Sequence, residues 1–135
     1  MRFTFLHQYL FLIPLFVMFL SEIAKHLNEG WRSGRWFHHG GMPSSHSAFV
    51  TSLMMVVGRK DGVTSTEFAI ATVFACIVWY DAAFVRYQVG EQAKALNLLQ
   101  QFKVFSERVG HSIPEVLGGI AFGAVVTAVG IWIGS

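Results

Sequence analysis

Long apolar runs alternate along this chain with short polar, glycine-rich or basic interruptions. From Phe3 to about Leu20 the run is broken only by His7, Gln8 and Pro14, and Ser21-Glu22-Ile23-Ala24-Lys25 continues a helical pattern. No small-residue cleavage site follows the basic start, so the pattern predicts a retained transmembrane helix and not a removed secretory signal. Lys25 to His39 is polar, basic and aromatic, and reads as an interfacial linker with Trp31 and Trp36 at headgroup level. A second helix is expected from about Ser45 to Val57. It is shorter than the roughly 20 residues that cross a hydrocarbon layer of about 30 Å, so its polar first turn is expected inside the protein, facing a cavity. Arg59-Lys60-Asp61-Gly62 ends it, and Thr64 and Glu67 have capping-box spacing for a third helix over about Ser65 to Tyr87. That helix is apolar until Asp81 and Arg86, and charges at such depth are costly without a partner or water, which marks both as functional candidates. Gly90 to Gly110 mixes Leu96, Leu98, Leu99 and Phe102 with Glu91, Lys94, Lys103 and Arg108, the spacing of an amphipathic helix on the membrane or over a site. A last helix is expected from about Ile113 to Ile133. Its Gly119 and Gly123 form a small-xxx-small step that serves intramolecular packing and a homodimer contact equally well.

Composition supports the same picture. Of 135 residues, 53% are hydrophobic and 13% charged, too apolar a balance for a soluble domain of this size. The expected fold class is all-α: a polytopic membrane helical bundle of about four membrane-embedded helices plus an amphipathic interfacial helix, in one domain over residues 1–135. The location is integral to a membrane, the cell membrane in a bacterium. No aromatic-basic surface, low-complexity tract or repeat points to nucleic acid. The single cysteine, Cys76, excludes an internal disulfide framework and a cysteine-based zinc site, and is expected to pack as a small apolar residue. If the helices alternate in direction, Lys25, Arg32, Arg35, His46, Arg86, Lys94, Lys103, Arg108 and His111 collect on one membrane face, against Arg2, Arg59 and Lys60 on the other. The positive-inside rule then places the chemistry on the cytoplasmic face.

Two histidine segments carry that chemistry. Gly40-Gly41-Met42-Pro43-Ser44-Ser45-His46-Ser47 reads as a loop entering a helix, with Pro43 in the first turn and Ser44 or Ser45 as cap. Free N–H groups at such a terminus attract anions, and His46 there can give or take a proton beside one; the alternative is a serine-rich cap with an incidental histidine. In Gly110-His111-Ser112-Ile113-Pro114-Glu115, His111 and Glu115 are four apart, so the carboxylate can hold the imidazole in one tautomer and make it a nucleophile toward phosphorus. The alternative is that Ser112 caps the helix with Glu115 as its capping-box partner.

These two segments, with Asp81-Ala82-Ala83-Phe84-Val85-Arg86 between them, resemble the divergent branch of the type 2 phosphatidic acid phosphatases, relatives of the vanadium-dependent haloperoxidases. The resemblance spans roughly Lys25 to Gly119. The wider family's signature is K-x6-R-P, then P-S-G-H, then S-R-x5-H-x3-D. Lys25 and Arg32 have the first spacing, with Ser33 in place of proline, and Arg35 competes with Arg32. Pro43-Ser44-Ser45-His46 matches the second with Ser45 for glycine, and His111 to Glu115 matches the end of the third with glutamate for aspartate. Phe105 stands where the third motif's arginine belongs, so that role passes to Arg86, with Arg108 as competitor.

The resemblance implies a lipid phosphatase for a phosphomonoester or diphosphate, such as a polyprenyl phosphate or diphosphate or a phosphatidate-like lipid. Lys25, Arg32, Arg86, Ser44 and Ser45 would hold the phosphate, His111 would attack it with Glu115 orienting the ring, and His46 would protonate the leaving oxygen, with no metal or other cofactor. Asp81 pairs awkwardly with Arg86 on a regular helix, being five residues away, or orients another site residue. Two other classes remain open: a non-catalytic lipid-phosphate binder or transporter, and a structural membrane protein whose polar segments are interfacial caps.

Overall fold

A computed structural model describes residues 11–30, 41–100, 105–107 and 109–134, and all regular structure among them is helical. Helix α1 covers Leu12–Lys25 and runs into a π-helical turn at His26–Gly30; α2 covers Ser45–Asp61, α3 Thr66–Tyr80, α4 Arg86–Leu99 and α5 Ile113–Gly134. A second π turn, Asp81–Val85, joins α3 to α4, so Thr66–Leu99 is one helical stretch of 34 residues. The separate amphipathic helix expected over Gly90 to Gly110 is therefore replaced by an extension of the third helix that stops at Leu99. Gly90 does not break it, because its missing side chain is used for contact: a Cβ there would lie 2.7 Å from the Glu107 carbonyl oxygen. At 1.5 Å per residue the stretch is about 51 Å long, well over the roughly 30 Å of a hydrocarbon layer. Thr66–Leu99 and Ile113–Ile133 are both long and apolar enough to cross a membrane.

Local chemistry sets the helix starts. Ser44 caps α2, accepting from the Ser47 N–H at 3.4 Å, so Pro43 lies just outside the helix and not in its first turn. Gly41, at φ 105°, supplies the left-handed backbone that turns the chain into this cap. At α3 the cap is Ser65, which accepts from the Phe68 N–H at 3.1 Å, one residue later than the Thr64 to Glu67 frame. Ser65 wins because it also donates to the Gly62 carbonyl at 2.8 Å, closing the turn ahead of the helix.

Small and hydroxylated side chains face inward and large apolar ones outward. α2 is central, packed against α1, α3 and α5, and buries Ser45, Ser47, Ala48, Val50, Thr51, Ser52 and Val56. α1 turns Pro14, Val17 and Ser21 inward while Phe16 and Phe19 are 60% and 61% exposed. Cys76 is also on the outer face, beside the buried Ala75. In lipid, apolar exposure costs nothing and close packing holds helices together, which accounts for this arrangement. The tightest seam joins α2 and α5. A Cβ on Gly119 would sit 2.3 Å from the Ser44 carbonyl oxygen, and one on Gly123 would sit 2.5 Å from that of Ala48. One turn further on, the Thr127 hydroxyl donates to Ser52 at 2.7 Å in a fully buried bond. Ser44, Ala48 and Ser52 thus meet Gly119, Gly123 and Thr127 in ascending order, so the two helices run parallel and start at the same level.

Candidate functional site

The level at which α2 and α5 start is also where α1 ends and the π turn lies. A π turn shifts backbone bonding by one residue, and here the Arg86 N–H reaches back to the Asp81 carbonyl. The Ala82 carbonyl then accepts from the His111 N–H at 3.2 Å, which docks the start of the His111 segment onto the turn. Gly110 makes the approach feasible, since a Cβ there would lie 2.6 Å from the Tyr87 nitrogen. The same wider turn brings residues five apart onto one side, and the Arg86 guanidinium donates from Nε to Asp81 Oδ2 at 2.8 Å. The pairing that a regular helix would make awkward is direct here.

His111 is 8% exposed, and its Nδ1 is buried and lies 3.6 Å from Glu115 Oε2. That same carboxylate oxygen accepts from the Ser112 N–H at 2.7 Å. The carboxylate thus makes its hydrogen bond to the Ser112 backbone, the Glu115 half of a capping box, and approaches the His111 ring without a hydrogen bond to Nδ1. Burial pushes the His111 imidazole below its ordinary proton affinity; Glu115 opposes this, and Lys25, His46 and Arg86 add to it. The Ser44 N–H donates to the Glu115 carbonyl at 3.2 Å, tying the His46 turn to the His111 segment.

His46 projects from the first turn of α2 on its exposed side, where charges from Glu22, Lys25, Asp81 and Arg86 all reach it. Lys25 Nζ lies 3.5 Å from Glu22 Oε1, and the Ser45 hydroxyl donates to the same Glu22 oxygen. Two histidines, one lysine and one arginine are thus gathered with three carboxylates at one end of the bundle, above a layer of buried serines.

Set beside known proteins, residues 6–126 match the model of the divergent PAP2 family. The chain belongs to that family. An uncharacterized membrane protein of Bacillus subtilis strain 168, YuiD, is 36% identical to it over 67% of this chain and 70% of its own length. No solved structure matches. As a divergent PAP2 membrane protein, the chain brings together Lys25, Ser44, Ser45, His46, Asp81, Arg86, His111 and Glu115 from segments far apart in sequence. Arg32, Arg35 and Arg108 lie outside the described residues. Sequence reasoning missed three contributors. Glu22 was passed over as part of the helical pattern, although an acid three residues before Lys25 in an apolar helix is a usable signal. The Ala82 carbonyl has no signal in side-chain chemistry. Asn97, whose side chain donates to the Phe105 carbonyl and Glu107 Oε1 at 2.9 Å each and accepts from the Phe105 N–H at 3.1 Å, ties Phe105 and Glu107 to α4.

Proposed function

We propose that this protein is a membrane lipid phosphatase, hydrolysing a phosphomonoester or diphosphate such as a polyprenyl phosphate or diphosphate or a phosphatidate-like lipid. The observation that carries the reading is the convergence of His46, His111, Lys25 and Arg86 at the π turn of a 34-residue helix, where its apolar part gives way to its polar part. A lipid phosphate lies at that level of a bilayer. Lys25 and Arg86 neutralise its oxygens, the guanidinium offering a fork of donors and the ammonium a point charge. Most of phosphoryl-transfer catalysis is positioning plus such charge neutralisation.

His111 has Nδ1 turned toward Glu115, which leaves Nε2 as the attacking nitrogen. With its proton on Nδ1, Nε2 forms a bond to phosphorus as the bond from phosphorus to the lipid oxygen breaks, and His46 gives that oxygen a proton. The burial that lowers the proton affinity of His111 keeps its ring neutral and nucleophilic near pH 7. Water then attacks the phosphohistidine and loses a proton to His46. The N–P bond breaks, inorganic phosphate leaves and both histidines are restored. The scheme has no metal step. By the positive-inside rule the site faces the cytoplasm.

A second reading, a non-catalytic lipid-phosphate binder or transporter, draws support from Glu115, whose short contact goes to Ser112 and not to His111. The test is phosphate release from a panel of polyprenyl and glycerolipid phosphates by purified protein with chelator present, His111→Ala run in parallel. Release lost in the mutant upholds the phosphatase. Lipid-phosphate binding without release, unaffected by the mutation, upholds the binder.

A further inference from the structure

Glu22 stands in none of the segments that resemble the family signature, yet its carboxylate joins two of them. One oxygen accepts the Ser45 hydroxyl from α2 and lies 3.5 Å from the Lys25 ammonium on its own helix. Ser45 is 2% exposed and stands where the wider family's motif has glycine, so the hydroxyl that makes this bond is absent from that motif. We propose that Glu22 is a positioning residue of the phosphate site: it locks the first turn of α2 to the end of α1, holds Lys25 in place, and sets a negative charge beside His46.

The electrostatics around His46 give Glu22 a distinct part. From α1 His46 faces Glu22 and Lys25, from the π turn Asp81, from the start of α4 Arg86, and from the segment leading into α5 His111. Burial and then the Arg86 charge lower the proton affinity of His46, and Glu22 is the foremost of the charges that oppose them, ahead of Asp81, which Arg86 engages at 2.8 Å. Glu22 has a longer contact with its lysine, so more of its field reaches the imidazole. A general acid needs its proton before the leaving oxygen departs, and a carboxylate nearby favours the protonated ring. The same carboxylate repels a phosphate. Glu22 therefore trades ground-state affinity for a correctly charged and oriented acid.

This inference rests on the phosphatase reading for its kinetic part, and on anion binding alone for the rest. In full-length protein, Glu22→Gln keeps an acceptor for Ser45 and removes the charge. Orthovanadate should then bind roughly three- to tenfold more tightly, by the loss of one nearby negative charge at intermediate dielectric. Turnover should fall by at least about tenfold, with the alkaline limb of the kcat profile moved to lower pH and partly restored by Glu22→Asp. A residue that only stabilised the fold would not raise affinity while lowering kcat. Ser45→Gly, which breaks the bond but leaves the charge, should lower kcat without moving that limb. Unchanged vanadate affinity in Glu22→Gln overturns the proposal, as does an unmoved alkaline limb. If the wild-type protein releases no phosphate from any lipid, the phosphatase reading fails by itself, and the vanadate comparison still decides the role of Glu22.

Discussion

The parallel seam between α2 and α5 makes Gly119→Ala the most informative single substitution. Its new Cβ would sit 2.3 Å from the Ser44 carbonyl oxygen, where ordinary contact begins at 3.4 Å, so the two backbones must separate by 3.4 − 2.3 = 1.1 Å. The obstacle is backbone in the first turn of α2 and no rotamer relieves it. Overpacking of this kind costs about 1–3 kcal/mol. The Ser44 N–H bond to the Glu115 carbonyl, already 3.2 Å, would be lost with the separation, adding about 1 kcal/mol. The expected loss is therefore about 2–4 kcal/mol, with turnover falling further because the His46 turn moves away from the His111 segment. Gly123→Ala, 2.5 Å from the Ala48 carbonyl oxygen, should cost about 1–3 kcal/mol with a smaller effect on turnover. Gly130 has nothing within 4 Å of its would-be Cβ and is the control, where alanine should be neutral or raise stability by up to about 1 kcal/mol. Reversible unfolding in mixed micelles, followed by tryptophan fluorescence, ranks the three. Gly119→Ala unfolding alongside Gly130→Ala would refute the close-seam account.

Other outcomes follow from the site. Deleting Ala83 should convert the π turn to regular helix, parting Arg86 from Asp81 and withdrawing the Ala82 carbonyl from His111; helical content by circular dichroism should stay within a few per cent while turnover drops at least about a hundredfold. Because burial lowers the folded-state proton affinity of His111, its contribution to stability is complete above its ordinary value of about 6.5 and shrinks as pH falls below it. Thermal unfolding from pH 8 to 5 should thus show a decline that His111→Gln makes shallower, and an identical slope in the two proteins would contradict the burial argument. Asn97→Ala removes three hydrogen bonds that tie Phe105 and Glu107 to α4, and should cost about 1–3 kcal/mol with faster proteolysis near Phe105.

The sequence pattern carried the helical architecture, and its logic shows where it had to stop. Apolar runs and serine caps placed α2 and α5 within a few residues, because capping chemistry is local and independent of packing. The continuation of α3 into α4 was not legible: Gly90 looks like an interruption in sequence and works as a contact in three dimensions. The histidine segments were legible because Pro43 to His46 and His111 to Glu115 have fixed spacings. Asp81 with Arg86 was half legible, since residues five apart meet only where the helix widens, and no composition rule marks that widening. Glu22 had a signal in its spacing to Lys25, but its bond to Ser45, 23 residues away, exists only once α1 and α2 pack.

The length of the Thr66–Leu99 helix has a mechanical consequence. If Asp81–Val85 sits at the boundary between oil and water, α4 is an arm of 14 residues, about 21 Å, mounted on the apolar shaft of α3. Thinning the bilayer tilts such a shaft, and a rotation of about 10° sweeps the Leu99 tip sideways by about 4 Å while leaving the fulcrum almost still. The reacting groups sit at that fulcrum. Membrane thickness should therefore steer what the arm's far end touches, leaving the alignment of His46 and His111 nearly untouched.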